Sequence, residues 1–264
     1  MGASSAYPEG EAGARVDIVV LAGGRTPSDV RERTGVSLRA LLPFGDGTIL
    51  DQVLSALREG VGADVARVIV VGAEAPGATC VAAGNSLPDS LANGIAACEH
   101  DLVFVSAADL PFLLPESVKT FLSLADASLD MNYPIIPLRV CSEAFPHMKR
   151  TSLLTREGRF TGGNLFLVRR DAFDRLMPNL AAAYRNRKSP TRLAGQVGLG
   201  VLARVALGQL LPATLPVAYL ERAVGRVLGL SLKAVQVCAA DIGADVDSMD
   251  QYRQALAHIS ERTV

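Results

Sequence analysis

An open α/β fold on a largely parallel sheet is predicted by three observations. Short apolar runs alternate with amphipathic segments from Val16 to about Ile135. The first run ends in paired glycines, Gly23 and Gly24, and a later one ends in an acid, Asp109. Strand-length apolar runs separated by helical stripes are the pattern of β-α units, whose strands are covered on both faces and hand over to helices at their carboxyl ends.

The runs VDIVVLA, ARVIVVG and DLVFVSA supply the first strands. Between them, TILDQVLSALREG places Ile49, Leu50, Val53, Leu54 and Leu57 on one helical stripe and closes on Gly60. The segment NSLPDSLANGIAACEH does the same, with Asp89 or Ser90 as its expected cap. Further on, YPIIPL, GGNLFLVRR and VQVCAAD read as strands, and DSMDQYRQALAHISER as a terminal helix. From about 179 to 230 the composition turns to Ala, Leu, Gly and Arg at helical spacing, which predicts a helical insertion inside one domain of residues 16–264. Residues 1–15, MGASSAYPEGEAGAR, are small and polar with no apolar centre, and are expected to form a disordered extension rather than a signal peptide.

Composition narrows the partners. With 264 residues, 49% of them hydrophobic, the chain can bury a substantial core. A net charge of −1 offers no global attraction to nucleic acid or an anionic membrane, so small molecules are the expected partners. The four cysteines form no C-x-x-C pair and the three histidines lack zinc-type spacing, as in a cytoplasmic protein with reduced thiols. Leu193 to Leu220 carries one charge, Arg204, yet Pro212, Pro216 and four glycines leave no clean span of ~20 apolar residues. Buried helices or a homodimer surface are expected there, and no stable membrane insertion.

Three stretches carry chemistry. In VVLAGGR, Gly23 and Gly24 let the backbone turn at a strand end and bring N–H groups close to an anion; a plain tight turn is the alternative. Neither a P-loop nor G-x-G-x-x-G is matched. Arg25, Arg31, Arg33 and Arg39 follow within the same loop, as an anion funnel or as solvated surface charge. In DLVFVSAADLPFL, Asp109 stands at a strand's carboxyl end, where an acid is placed to hold Mg²⁺ or to cap the next turn. In ADIGADVDSMDQYRQAL, Asp241, Asp245, Asp247 and Asp250 cluster, with Asp247 or Ser248 an expected N-cap.

Together, L-A-G-G at the first strand end, a basic residue before ALLPFGDGTILDQVLSAL, the acid of AADLPFL and DVDSMDQY before the last helix resemble the MobA-like nucleotidyltransferases. The resemblance covers about residues 16–170 and 234–260. It implies a Rossmann-like, three-layer α/β/α fold of GT-A type with a mixed, mostly parallel sheet. It also implies Mg²⁺-dependent transfer of NMP from an NTP, with GTP or CTP expected, to a phosphorylated small molecule, with release of pyrophosphate. Carried over by position, Leu21, Ala22, Gly23 and Gly24 hold the nucleotide. Arg25 and Arg39 bind the triphosphate, and Asp109 binds Mg²⁺ with Asp247, Asp245 being the reserve. Gly84, Asn85 and Ser90 fall on the base side. Lys149, Arg150, Gly162, Gly163 and Asn164 fall on the acceptor side, where a hairpin with a glycine turn is the alternative.

Two departures stand out. The loop between Gly24 and Arg39 is longer than the family's G-x-S-x-R-M-G-x-D-K, and Arg39 replaces its lysine. That replacement supports a second reading, a nucleotide-binding regulatory module with impaired chemistry. The insertion begins with Arg185, Arg187, Lys188 and Arg192, in reach of an anionic acceptor or on a solvated face.

Overall fold

The computed structural model describes residues 15–186 and 198–262; the extension expected for residues 1–15, apart from Arg15, and the cations Arg187, Lys188 and Arg192 lie outside them. In chain order the strands are β1 (Val16–Leu21), β2 (Pro43–Phe44), β3 (Gly47–Thr48), β4 (Val65–Val71), β5 (Thr79–Val81), β6 (Leu102–Ala107), β7 (Met131–Pro137), β8 (Leu153–Thr155), β9 (Gly158–Gly162), β10 (Leu165–Arg169) and β11 (Leu232–Gln236). The helices are α1 (Ser28–Thr34), α2 (Ile49–Val61), α3 (Leu87–Ala96), α4 (Pro115–Leu124), α5 (Leu138–Ala144), α6 (Phe173–Asn186), α7 (Leu199–Leu210), α8 (Val217–Leu228) and α9 (Met249–Arg262).

β1 lies inside the sheet, parallel to both β4 and β6, and Ile18, Val19 and Val20 are fully buried. That double burial explains why the run is continuously apolar rather than alternating. The order is β5-β4-β1-β6-β10-β7-β9-β8, with β11 parallel to β7 on its other side. Beyond β6 the sense reverses: β10 is antiparallel to β6 and β7, and β9 continues its line along the same edge of β7. The sheet is therefore mixed and forms the middle of a three-layer α/β/α fold.

Two apolar clusters fill its faces. One holds Ile18, Val20 and Phe104 with the buried residues of α2 and α4; the other holds Val19, Ile69 and Val105 with those of α3 and α6. Helices approach closely where glycine allows it. A Cβ on Gly60 of α2 would sit 2.5 Å from Val118 Cβ of α4, and one on Gly94 of α3 would sit 2.6 Å from Val19 Cγ1. The stripe of α2 begins with a capping box, Thr48 accepting from Asp51 N while Asp51 accepts from Thr48 N.

Three boundaries differ from the sequence reading. The cap of α3 is Ser86, whose Oγ accepts from Asp89 N, because Pro88 fixes the first helical turn just before Asp89 and Ser90. The last strand starts at Leu232, since the register against Met131 of β7 sets the pairing; Val237, Ala239 and Ala240 are buried beyond its end instead. The helical segment starts earlier than about residue 179, with α6 from Phe173.

Leu199, Leu210 and Leu211 are exposed, not buried. No helix among the described residues is long and apolar enough to cross a membrane. The segment also reaches the sheet through side chains. Gln209 donates to Leu154 O of β8 (3.2 Å) and accepts from Leu154 N (3.1 Å), and Glu221 accepts from Ala234 N of β11 (2.8 Å).

The cysteines are free thiols. Burial, with Asp17 nearby, pushes the Cys98 thiol up to about 12, and burial also raises Cys141. The thiolate is the reactive form. At pH 8 a thiol reagent is therefore expected to label exposed Cys238 in native protein and to reach Cys98 only in denaturant, read by peptide mass spectrometry; native labelling of Cys98 would contradict its burial.

Candidate active site

β1 delivers Leu21 to the carboxyl edge, where Ala22 N donates to Val71 O (2.8 Å) and Leu21 O accepts from Ala108 N (3.2 Å). The glycine turn is thus clamped between the ends of β4 and β6. Gly23 packs against a second glycine, Gly72, whose φ is +90°; a Cβ on Gly72 would lie 2.7 Å from Gly23 Cα. A Cβ on Gly23 would lie 3.0 Å from Ala83 Cβ, which puts the expected base-side segment directly beside the turn. There Gly84 N donates to Ser90 Oγ (3.0 Å), and Asn85 is exposed. A Cβ on Gly84 would collide with Asp89, so the chain folds back tightly over the start of α3.

The long loop after Gly24 is folded, not open. Thr26 N donates to Ser37 O (3.0 Å), Arg39 N to Gly24 O (2.9 Å), and Arg25 bridges Leu38. α1 fills the intervening residues, with Arg31 and Arg33 on its exposed side. Of the four arginines only Arg39 turns inward. Its Nη1 lies 2.9 Å from Asp109 Oδ2, touches Asp247 Oδ1 and donates to Val246 O (3.1 Å).

Asp109 follows β6, and its carbonyl accepts from Val246 N (3.2 Å), pinning the C-terminal loop to that strand end. Asp109, Asp245 and Asp247 each offer an oxygen within 4.8 Å of the others. Burial raises Asp109 while the Arg39 guanidinium pulls it back. Asp245 is pushed up to about 6 by burial and by the negative charges of Asp247 and Asp109. Three hard carboxylate oxygens so close repel one another and suit Mg²⁺, Mn²⁺ or Ca²⁺; the donor set fits a divalent cation.

The acids expected to cluster thus divide. Asp245, the reserve, stands as close as Asp247. Asp241 is buried elsewhere and accepts from Leu114 N (3.0 Å) and Ser117 Oγ (2.8 Å), bonding the start of α4. That N-terminus is therefore served by Asp241, not Asp109. Asp250 is exposed on α9 beside Arg253, and the cap of α9 is Ser248, which accepts from Gln251 N (3.3 Å).

The expected acceptor side meets the same loop. Asn164 N donates to Ile242 O (3.0 Å), and Asn164 O accepts from Ala107 N (2.9 Å). Arg150 donates to Gly162 O (3.1 Å), Gly243 O and Thr161 Oγ1 (3.3 Å), and lies 3.7 Å from Asp245. Lys149 is exposed next to it. Gly162 and Gly163 do not make a hairpin turn: the β8–β9 turn runs through Arg156 to Gly158, and Gly163 and Asn164 are the break between β9 and β10. Glycine is needed there because a Cβ on Gly162 would strike the Tyr133 hydroxyl and one on Gly163 would lie 2.6 Å from Ile242 Cγ2. Gly72 escaped the sequence reading; its signal was a glycine ending the strand next to A-G-G.

A glycine turn at the first strand end, an acid at the next and further acids before the last helix thus meet on one edge of a mixed three-layer sheet. The chain belongs to the family of MobA-like NTP transferase domains, which matches residues 18–189. It is similar to a hypothetical transferase structure from Thermus thermophilus at 31% identity and TM-score 0.78, over 90% of this chain and 99% of that one. It shares its fold with CMP:2-keto-3-deoxy-manno-octonic acid synthetase complexed with CTP (15%, TM-score 0.57, 94% and 99%). It also shares it with Rv0371c from Mycobacterium tuberculosis in complex with manganese (16%, TM-score 0.51, 92% and 98%). No curated protein sequence matches the chain.

Proposed function

We propose that the protein transfers NMP from an NTP to a phosphorylated small molecule, with Mg²⁺ held by Asp109, Asp245 and Asp247. The observation that carries this reading is the meeting of three carboxylates and Arg39 beside the glycine turn. A bound divalent cation would supply charge neutralisation on phosphate oxygens. The chain's own residues do the rest. Backbone N–H groups of Gly23 and Gly24 and the segment at Gly84 hold the nucleotide, and the exposed Arg25 faces its outer phosphates. An oxygen of the acceptor's phosphate attacks the α-phosphorus; the bond from that phosphorus to the α–β bridging oxygen breaks, and pyrophosphate leaves with the electron pair. Positioning and charge suffice for such a step, so no side-chain nucleophile is required. Lys149, beside the clamped Arg150, receives the acceptor's anionic group.

A melting-temperature screen of the four NTPs with and without Mg²⁺ tests this. A ligand at 100 times its Kd stabilises by about 2.7 kcal/mol, or roughly 5–10 °C here. One NTP is expected to give that shift only with Mg²⁺; none doing so would overturn the reading. Turnover on a panel of phosphorylated metabolites then separates an enzyme from a regulatory module, the reading that arginine at position 39 in place of lysine suggests.

A further inference from the structure

Two arginines stand beside the three acids, and they are held in different ways. Arg150 is clamped by the scaffold: its Nε, Nη1 and Nη2 each donate to a separate oxygen, on Thr161, Gly243 and Gly162. Arg39 instead concentrates its contacts on one nitrogen. Nη1 alone meets Asp109, Asp247 and the Val246 carbonyl, while Nε is buried without a hydrogen-bond partner. A guanidinium has five N–H donors in a rigid fork, so this fork is only partly satisfied. What holds it in place is charge. Its other arm faces the nucleotide side: a Cβ on Gly24 would lie 3.8 Å from Nη2.

Asp109 and Asp247 cannot give the same oxygens to Arg39 and to a divalent cation at full strength. A cation that takes those oxygens competes with the guanidinium for them, and its positive charge next to Arg39 weakens the hold of both acids on the guanidinium. A displaced guanidinium next to the glycine turn meets triphosphate oxygens, which its planar fork grips in pairs.

We propose that Arg39 is an exchangeable counter-ion of the acid cluster. It neutralises Asp109 and Asp247 while the site lacks a cation and passes to the triphosphate when cation and nucleotide arrive together. Cation alone is then held weakly, and nucleotide and cation strengthen each other's binding, reciprocally, as linkage requires. This inference rests on the metal and nucleotide site proposed above.

The test uses Mn²⁺ alone, its free fraction followed by electron paramagnetic resonance, on the whole protein and on Arg39→Gln and Asp109→Asn variants. Arg39→Gln is expected to bind Mn²⁺ about 5- to 150-fold more tightly than the parent, the usual span of coupling between sites. Mn²⁺ is also expected to raise its melting temperature further than the parent's, and Asp109→Asn is expected to lose saturable binding. Arg39→Met, which keeps the apolar stem, repeats the measurement should the glutamine variant not fold. Equal or weaker Mn²⁺ binding without Arg39, with binding still lost in Asp109→Asn, overturns the counter-ion role and leaves the metal site standing. No saturable Mn²⁺ binding in either the parent or the Arg39 variants overturns both.

Discussion

Asp109→Asn is expected to lower kcat for pyrophosphate release by about 10²- to 10³-fold, the loss seen when one preorganised electrostatic group is removed from an active site. The same variant is expected to melt no lower than the parent without divalent cation. Asp109 lies among two other carboxylates within 4.8 Å, in a place where burial disfavours its charge. Asparagine keeps the shape and relieves both penalties, while the lost pairing with Arg39 is left to Asp247. Added Mg²⁺ should then stabilise the parent and not the variant. A variant that keeps activity within tenfold, or that melts several degrees lower, would show that Asp109 is a structural acid rather than part of a strained site.

Gly72→Ala is expected to cost about 2–6 kcal/mol: roughly 1–3 for a non-glycine residue at positive φ and about 1–3 for crowding. In a chain of this size that lowers the melting temperature by roughly 5–20 °C. The crowding falls on backbone, with Gly23 Cα at 2.7 Å and Gly23 N at 2.9 Å from the new methyl, so no side chain can swing away. The glycine turn itself must move. KM for the NTP should therefore rise more than kcat falls. Gly77→Ala is the control: its φ is +68°, but the nearest atom is Arg58 Nη2 at 3.6 Å, so it should cost the backbone strain alone. Equal destabilisation of the two would assign the effect to strain and remove crowding from the account.

The parts of this fold that were legible beforehand are those encoded locally. β1, β4 and β6 are runs buried on both faces, and α2 carries its own stripe and capping box, so each declares itself in a few residues. Gly23, Gly24 and Asp109 were visible because strand ends on one edge of a parallel sheet must lie together. What stayed hidden depends on contacts far apart in sequence. Asp241 and Asp245 look alike in the chain; only the docking of Ala240–Gly243 against α4 sends the first to Ser117 and the second to the site. Arg150 reads as a substrate-binding cation until the loop at Gly243 comes to rest on it. The partnership of Gly72 with Gly23 needs the register of β1 against β4, which no local pattern states. Likewise, β9 and β10 lie on one line broken at Gly163, a property of their shared partner β7 rather than of their own residues.

The helices after β10 do something for the sheet apart from any substrate. β8 and β11 lie at margins of the mixed part of the sheet, β8 antiparallel to β9 and β11 parallel to β7, where unpaired N–H and C=O groups invite the strand of another molecule. The amide of Gln209 occupies both backbone groups of Leu154, and the carboxylate of Glu221 takes the N–H of Ala234. Two polar side chains, delivered from α7 and α8, thus stand in for a neighbouring strand at Leu154 and Ala234 and blunt these two margins against edge-to-edge aggregation.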